Sequence, residues 1–135
     1  MFLLDTCILS ELRKQRIPSN VSAWLQKHKK AEMYLSVVTI GEIEAGIATK
    51  RRQIDPAFAA SLDGWLGQVI ENYDERILPI TLNIARLWGN LDPASGNATD
   101  KLIAATAKAH GLKIVTRNHR HFVPLGVAVV NPFGE

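Results

Sequence analysis

The stretch Phe2-Leu3-Leu4-Asp5-Thr6-Cys7-Ile8-Leu9-Ser10-Glu11-Leu12 reads as a short buried strand that stops at a carboxylate and turns at once into a helix. Consecutive apolar residues suit a strand covered on both faces, as in a parallel sheet. Asp5 or Thr6 is placed to cap the following helix, which runs to about Arg13 and ends before Pro18. An acid at a strand's carboxyl end lies on the sheet edge where open α/β proteins hold their ligands.

The same alternation continues downstream. Ser19 is placed as the N-cap of a helix carrying Val21, Trp24, Leu25 and His28 at helical spacing. Met33-Tyr34-Leu35 reads as a second strand, and Ser36 caps a helix from Val37 to about Thr49. Asp55-Pro56 starts another helix, with Asp as cap and Pro first inside it. Its stripe is Phe58, Leu62, Trp65, Leu66, Val69 and Tyr73. Gly64 and Gly67 weaken that helix by up to about 1 kcal/mol each relative to Ala, unless a close neighbour needs the room. Ile77-Leu78-Pro79-Ile80 is a third strand, and Thr81 caps a helix with Ile84, Leu87, Trp88 and Leu91. Pro93 to Asn97 is a loop, Asp100 opens a helix ending at Gly111, and Lys113–Thr116 and Val127–Val130 are the last strands. Strands alternating with helices predict one α/β domain over residues 1–135, its mostly parallel sheet flanked by helices on both faces.

Composition narrows the class. The 47% hydrophobic and 21% charged fractions exclude a disordered chain. No apolar run approaches the length that spans a membrane, and Phe2-Leu3-Leu4 is too short for a signal segment. One cysteine, Cys7, makes no intrachain disulfide, so a cytoplasmic location is expected. The net charge of +3 permits a polyanionic partner without requiring one.

Three acids occupy informative positions. Asp5 follows the first strand, and Glu42 lies in the helix after the second. Asp100 heads a helix whose apolar stripe, Ile103, Ala104 and Ala107, shares its face, so its carboxyl points toward the sheet. Each has a plainer explanation: Asp5 as a cap, Asp100 as a partner of the helix dipole, Glu42 as a solvated helix residue. Glu44 lies roughly 200° round the helix from Glu42, and periodicity does not say which of the two faces the cleft. If all three acids converge, carboxylates about 4 Å apart repel by roughly 4 kcal/mol at an effective dielectric of 20. A divalent cation reverses that sign, and hard oxygen ligands suit Mg²⁺ or Mn²⁺. Phosphodiester hydrolysis is the chemistry such a site serves best.

At these residues the chain resembles PIN-domain proteins of the VapC and FitB type. Leu3 to Leu12 is similar to their opening block, and Ser36 to Ile47 to their second, with its acid at Glu42. Thr99 to Ala107 matches the third, with its acid at Asp100, and Thr116 to Phe122 resembles the fourth. The resemblance implies a PIN fold and a Mg²⁺- or Mn²⁺-dependent endoribonuclease, the toxin of a type II toxin–antitoxin pair. It further implies a homodimer, an RNA substrate, a cognate antitoxin, and operator DNA bound only through that antitoxin. Asp5, Glu42 and Asp100 become the catalytic and metal-binding acids, with Thr6, Cys7, Thr116, Arg117 and Asn118 around the metal or the substrate. Two departures stand out. His121 replaces the family's usual fourth acid, and Cys7 replaces its common Asn. An imidazole can still ligate, with a preference shifted from Mg²⁺ toward Mn²⁺ or softer ions. Reduced activity, or a PIN module that binds RNA or an antitoxin without cleaving, is the alternative reading.

Other features have ordinary explanations. His119 and His121 read as loop residues, and Cys7 as a packing residue with no histidine beside it. Lys50-Arg51-Arg52 suits the C-terminus of its helix as well as an RNA track, and Arg117 is nearer the cleft. A receiver-like signalling domain would need an Asp after the third strand, where this chain has Pro79-Ile80-Thr81.

Overall fold

Leu3 and Leu4 are fully buried on opposite faces of the central strand, and the fold is arranged around that pair. The computed structural model describes residues 1–94 and 96–134. In chain order the elements are β1 (Phe2–Leu4), α1 (Thr6–Leu12), α2 (Ser19–Lys27), β2 (Met33–Ser36), α3 (Val37–Arg52) and α4 (Pro56–Tyr73). Then come β3 (Ile77–Leu78), α5 (Leu82–Gly89), α6 (Ala98–His110), β4 (Lys113–Val115), α7 (His119–Phe122) and β5 (Val129–Val130).

The strand order is β3-β2-β1-β4-β5, and every pairing is parallel. Alternation along each strand sorts the side chains between two layers. Phe2, Leu4, Leu35 and Val115 pack with Ile8 and Leu9 of α1, Ile43 and Ile47 of α3, and Leu66 and Val69 of α4. Leu3 and Ile114 face the other way, onto Ile103, Ala104 and Ala107 of α6 and Phe122 of α7. Because all strands run the same way, Asp5, Ser36 and Thr116 emerge on one edge of the sheet. The chain builds outward from β1 through β2 to β3, then returns to add β4 and β5 on the other side. The crevice between the ends of β1 and β4 is therefore a topological switch point.

Several boundaries move from the sequence expectation, each for a local reason. Pro18, not Ser19, is the N-cap of α2, and no side chain caps it. Asp100 does not open α6: Asn97 caps it, accepting the Asp100 N–H at 2.8 Å, so Asp100 lies in the first turn. Alanine and threonine tolerate the first helical turn, and Asn is among the strongest caps. Helix α3 continues to Arg52, three residues beyond Thr49. β3 stops before Pro79, which lacks the N–H a ladder needs, and β5 is confined to Val129–Val130. His119 and His121 belong to the short helix α7, not to a loop. An added Cβ at Gly64 or Gly67 meets nothing within 4 Å, so no close neighbour explains those glycines.

Candidate active site

Asp5 occupies the switch point with both carboxylate oxygens engaged. Oδ1 accepts the Thr6 N–H at 2.9 Å, capping α1, and Oδ2 accepts the Thr116 hydroxyl at 2.8 Å. Thr116 Oγ1 in turn accepts the Asn118 N–H at 2.9 Å. Asp5 and Thr116 are both buried, so these bonds are shielded from competing water. Cys7 lies against the same group, its Sγ 3.6 Å from Thr116 Oγ1 and accepting the Arg117 N–H at 3.4 Å. Burial pushes the Cys7 thiol up, so it is a protonated packing group rather than a thiolate nucleophile.

Of the two acids in α3, Glu42 faces the cleft: its Oε1 accepts the Thr6 hydroxyl at 2.7 Å. Thr6 thus touches two of the acids, Asp5 through its N–H and Glu42 through its O–H. Partial burial raises the Glu42 pKa; the Thr6 hydrogen bond opposes this, and the charges of Asp5 and Asp100 add to it. Asp100 reaches the same field from α6. Burial raises its pKa against the charge of His121, and Asp5 raises it further. His121 Nδ1 lies 3.3 Å from Asp100 Oδ2, with the imidazole half exposed. The Asp5 charge therefore acts on both Glu42 and Asp100, and Asp100 acts on Glu42, although the three come from elements far apart in the chain.

The positive groups nearby do not neutralise them. Lys101, beside Asp100 and buried, donates to the Pro93 carbonyl at 2.9 Å. Arg117 turns away to Glu11 Oε1 at 3.5 Å and stacks 3.9 Å from the centroid of the Phe133 ring. Among the described residues, no lysine or arginine pairs with Asp5, Glu42 or Asp100.

A family model described as the PIN domain matches residues 2–123. The chain belongs to the PIN-domain family. It is 34% identical to VapC ribonuclease Y4jK of Sinorhizobium fredii, over 98% of each chain. It is 32% identical to toxin FitB of Neisseria gonorrhoeae over the full length of both. The crystal structure of FitAcB from Neisseria gonorrhoeae superposes with a TM-score of 0.88 at 31% identity, covering both chains completely. The parallel sheet flanked by helices is thus the PIN fold, as the four sequence blocks implied.

The PIN acids form an oxygen-rich donor set suited to a hard divalent cation. Among the described residues, no three His, Cys, Asp or Glu side chains stand close enough to form a ready-made metal cage. Mg²⁺ does not require such a cage, because it keeps several waters and takes one or two carboxylates directly.

Sequence reasoning missed four contributors. Asn97, three residues before Asp100, carried a readable capping signal. Lys101, Glu11 and Phe133 carried none, because their roles depend on contacts between distant segments. A groove of about 300 Å³ also opens beside the acids, from Thr6 and Glu42 along Ile43, Ile47, Phe58, Leu62 and Trp65. Arg13 and Lys50 rim it. Here the α4 stripe divides: Leu66 and Val69 enter the core, while Phe58, Leu62 and Trp65 floor the groove.

Proposed function

We propose that the chain is a divalent-metal-dependent endoribonuclease, the toxin of a type II toxin–antitoxin pair. The observation that carries this reading is the bridge Thr6 makes between Asp5 and Glu42 at the switch point of a PIN fold, where the Asp5 charge also raises the pKa of both Glu42 and Asp100. Neighbouring carboxylates without a lysine or arginine partner repel one another, and a divalent cation reverses that sign. Bound Mg²⁺ or Mn²⁺ supplies neutralisation of charge on the phosphate and a water of lowered pKa.

The chain's own residues do the positioning. Asp5 is fixed at both oxygens by Thr6 and Thr116, which orients its remaining lone pairs. Glu42 uses Oε1 on Thr6, so Oε2 holds the attacking water or takes its proton. Asp100 and Asp5 are the direct ligands in this reading, with Asn97 fixing the first turn that carries Asp100. Asp5→Asn and Asp100→Asn should each abolish cleavage of RNA while preserving the circular dichroism spectrum; full activity in either refutes the reading.

The partner is a cognate antitoxin, as expected from the similarity to FitB, whose relatives of known structure include FitAB bound to an IR36 DNA fragment. The groove floored by Ile43, Ile47, Phe58, Leu62 and Trp65 suits an apolar antitoxin segment, with Arg13 and Lys50 meeting its acids. A basic residue of that segment reaching Glu42 and Asp5 would silence the enzyme by replacing the cation. Operator DNA then binds through the antitoxin, and the toxin is a cytoplasmic homodimer. No helix among the described residues is long and apolar enough to cross a membrane.

One observation favours a second reading, a PIN module that binds without cleaving. His121 stands 3.3 Å from Asp100 where the family usually has an acid, and an imidazolium there competes with a cation. Cleavage of RNA by the natural chain with Mg²⁺ or Mn²⁺ eliminates this reading; activity appearing only in His121→Asp supports it.

A further inference from the structure

Two arginines stand three residues apart after β4, and the structure gives them opposite fates. The Arg117 guanidinium is engaged by Glu11 at 3.5 Å and by the Phe133 ring at 3.9 Å from its centroid. Phe133 is itself tied down, its carbonyl accepting from Asn20 Nδ2 at 2.6 Å. Glu11 is buried and also holds Lys14 at 2.9 Å. Arg117 is therefore a fastener between α1, the turn after β4 and the C-terminal segment. Arg120 is exposed on α7, and among the described residues no hydrogen bond, ion pair or ring contact holds its side chain.

Arg120 also sits where a polyanion would pass. With His121 it lines two adjoining depressions: one of about 400 Å³ that reaches Asn97 and Asp100 and that Arg117 does not line, and one of about 250 Å³ that continues over Asn118 and His119 and that Arg117 also borders. Together they make a trough leading out from the acid site along α7. A nucleic-acid strand whose scissile phosphate lies at Asp5 and Asp100 has further phosphates on either side. Those phosphates are repelled by the same carboxylates and need a cation at the rim. An exposed guanidinium without a partner can present two parallel donors to one phosphate without breaking any existing bond. Arg117 could do so only by abandoning Glu11 and Phe133.

We propose that Arg120, and not Arg117, is the phosphate-binding residue that holds single-stranded RNA in the trough beside Asp100. This rests on the ribonuclease reading and adds to it the path of the strand. The test is binding of a fluorescein-labelled single-stranded RNA by anisotropy, from 50 to 200 mM salt, in EDTA and separately in Ca²⁺. One lost phosphate contact lowers the slope of log K against log salt by about 0.7 for a single strand. Arg120→Ala should show that loss, Arg120→Lys should restore the natural slope, and Arg117→Lys should keep it with a lowered Tm. Arg120 is exposed and unpartnered, so its alanine variant retains the natural melting profile. If RNA binds and Arg120→Ala matches the natural slope and affinity, the trough assignment is overturned and the nuclease reading stands. If Arg117→Lys loses affinity while Arg120→Ala does not, the roles are reversed. If the natural protein binds no RNA in either buffer, the ribonuclease reading fails first, and this inference with it.

Discussion

Replacing Asp100 with Asn is expected to leave the ion-free protein at least as stable as the natural chain, while removing most of its response to a divalent cation. The sign comes from the carboxyl's surroundings. Burial raises its pKa, His121 opposes that, and Asp5 reinforces it. A carboxyl whose folded-state pKa is raised contributes stability that is complete below the unfolded pKa and lost as pH rises through the folded one. At pH 7.5 the ionised group therefore weakens the ion-free fold, and Asn removes that effect. One term runs the other way: losing a first-turn acid from α6 costs about 0.3–1 kcal/mol of dipole interaction, while the His121 contact is already contained in the net upward shift. Cation binding is the larger signal. At ten times its Kd a ligand adds about 1.4 kcal/mol. With about 2.1 cal/mol/K of melting entropy per residue, 135 residues convert that into a rise in Tm of about 5 °C. Scanning calorimetry in EDTA, Mg²⁺ and Mn²⁺ measures both effects. A variant that melts well below the natural chain in EDTA, or that keeps the full Mn²⁺ shift, refutes the idea that Asp100 belongs to a cation-dependent acid cluster.

Four further outcomes are expected. Thr116→Val removes the hydroxyl that holds Asp5 Oδ2, and cation affinity measured by calorimetric titration should fall about 10–100-fold. Glu11→Gln should flatten the acid limb of the stability curve. Its carboxyl is held below the usual range by the Lys14 hydrogen bond, with the Lys14 and Arg117 charges assisting, so the stability it contributes is present above the unfolded pKa and lost as pH falls through the folded one. Gly67→Ala should stabilise the protein by up to about 1 kcal/mol, seen as an upward shift in urea midpoint, because the new methyl meets no neighbour. His121→Asp should strengthen Mg²⁺ binding relative to Mn²⁺ in competitive titration, since a hard oxygen replaces an imidazole beside Asp100.

The order and type of the elements were legible because each is announced by its own residues. Ser36, Asp55 and Thr81 cap the helices they were expected to cap, with side-chain acceptors at 3.0, 3.3 and 3.2 Å. The α6 stripe of Ile103, Ala104 and Ala107 is fully buried, as helical periodicity requires. Legibility failed where two local signals competed. Ser19 looked like a cap, but Pro18 already occupies that position with its carbonyl accepting the Ser22 N–H at 2.9 Å. It failed again where a short element is made by tertiary contact. Helix α7 has four residues, too few for any period, and exists because Phe122 is drawn into the core.

At the site, sequence named the acids but could not show which partner each would find. Glu42 and Glu44 were equivalent on paper, and the Thr6 hydroxyl separates them. Arg117 was preferred to the Lys50-Arg51-Arg52 run for its position near the cleft, and the structure engages it elsewhere. The plain and the functional explanations of Asp5 turn out not to compete. A carboxylate has two oxygens, and here one caps α1 while the other receives Thr116. That division determines which substitution is informative. Asn is as good an N-cap as Asp, so Asp5→Asn keeps the capping oxygen while removing the charge and the oxygen that accepts the Thr116 hydroxyl, whereas Asp5→Ala removes the cap as well and costs about 1 kcal/mol of stability besides. Loss of activity in Asp5→Asn with an unchanged Tm would therefore isolate the carboxylate's charge and its Thr116 bond from the helix it begins. A matching loss of Tm in both variants would mean that the cap bond to Thr6 N depends on that charge, and that helix start and acid site form one electrostatic unit.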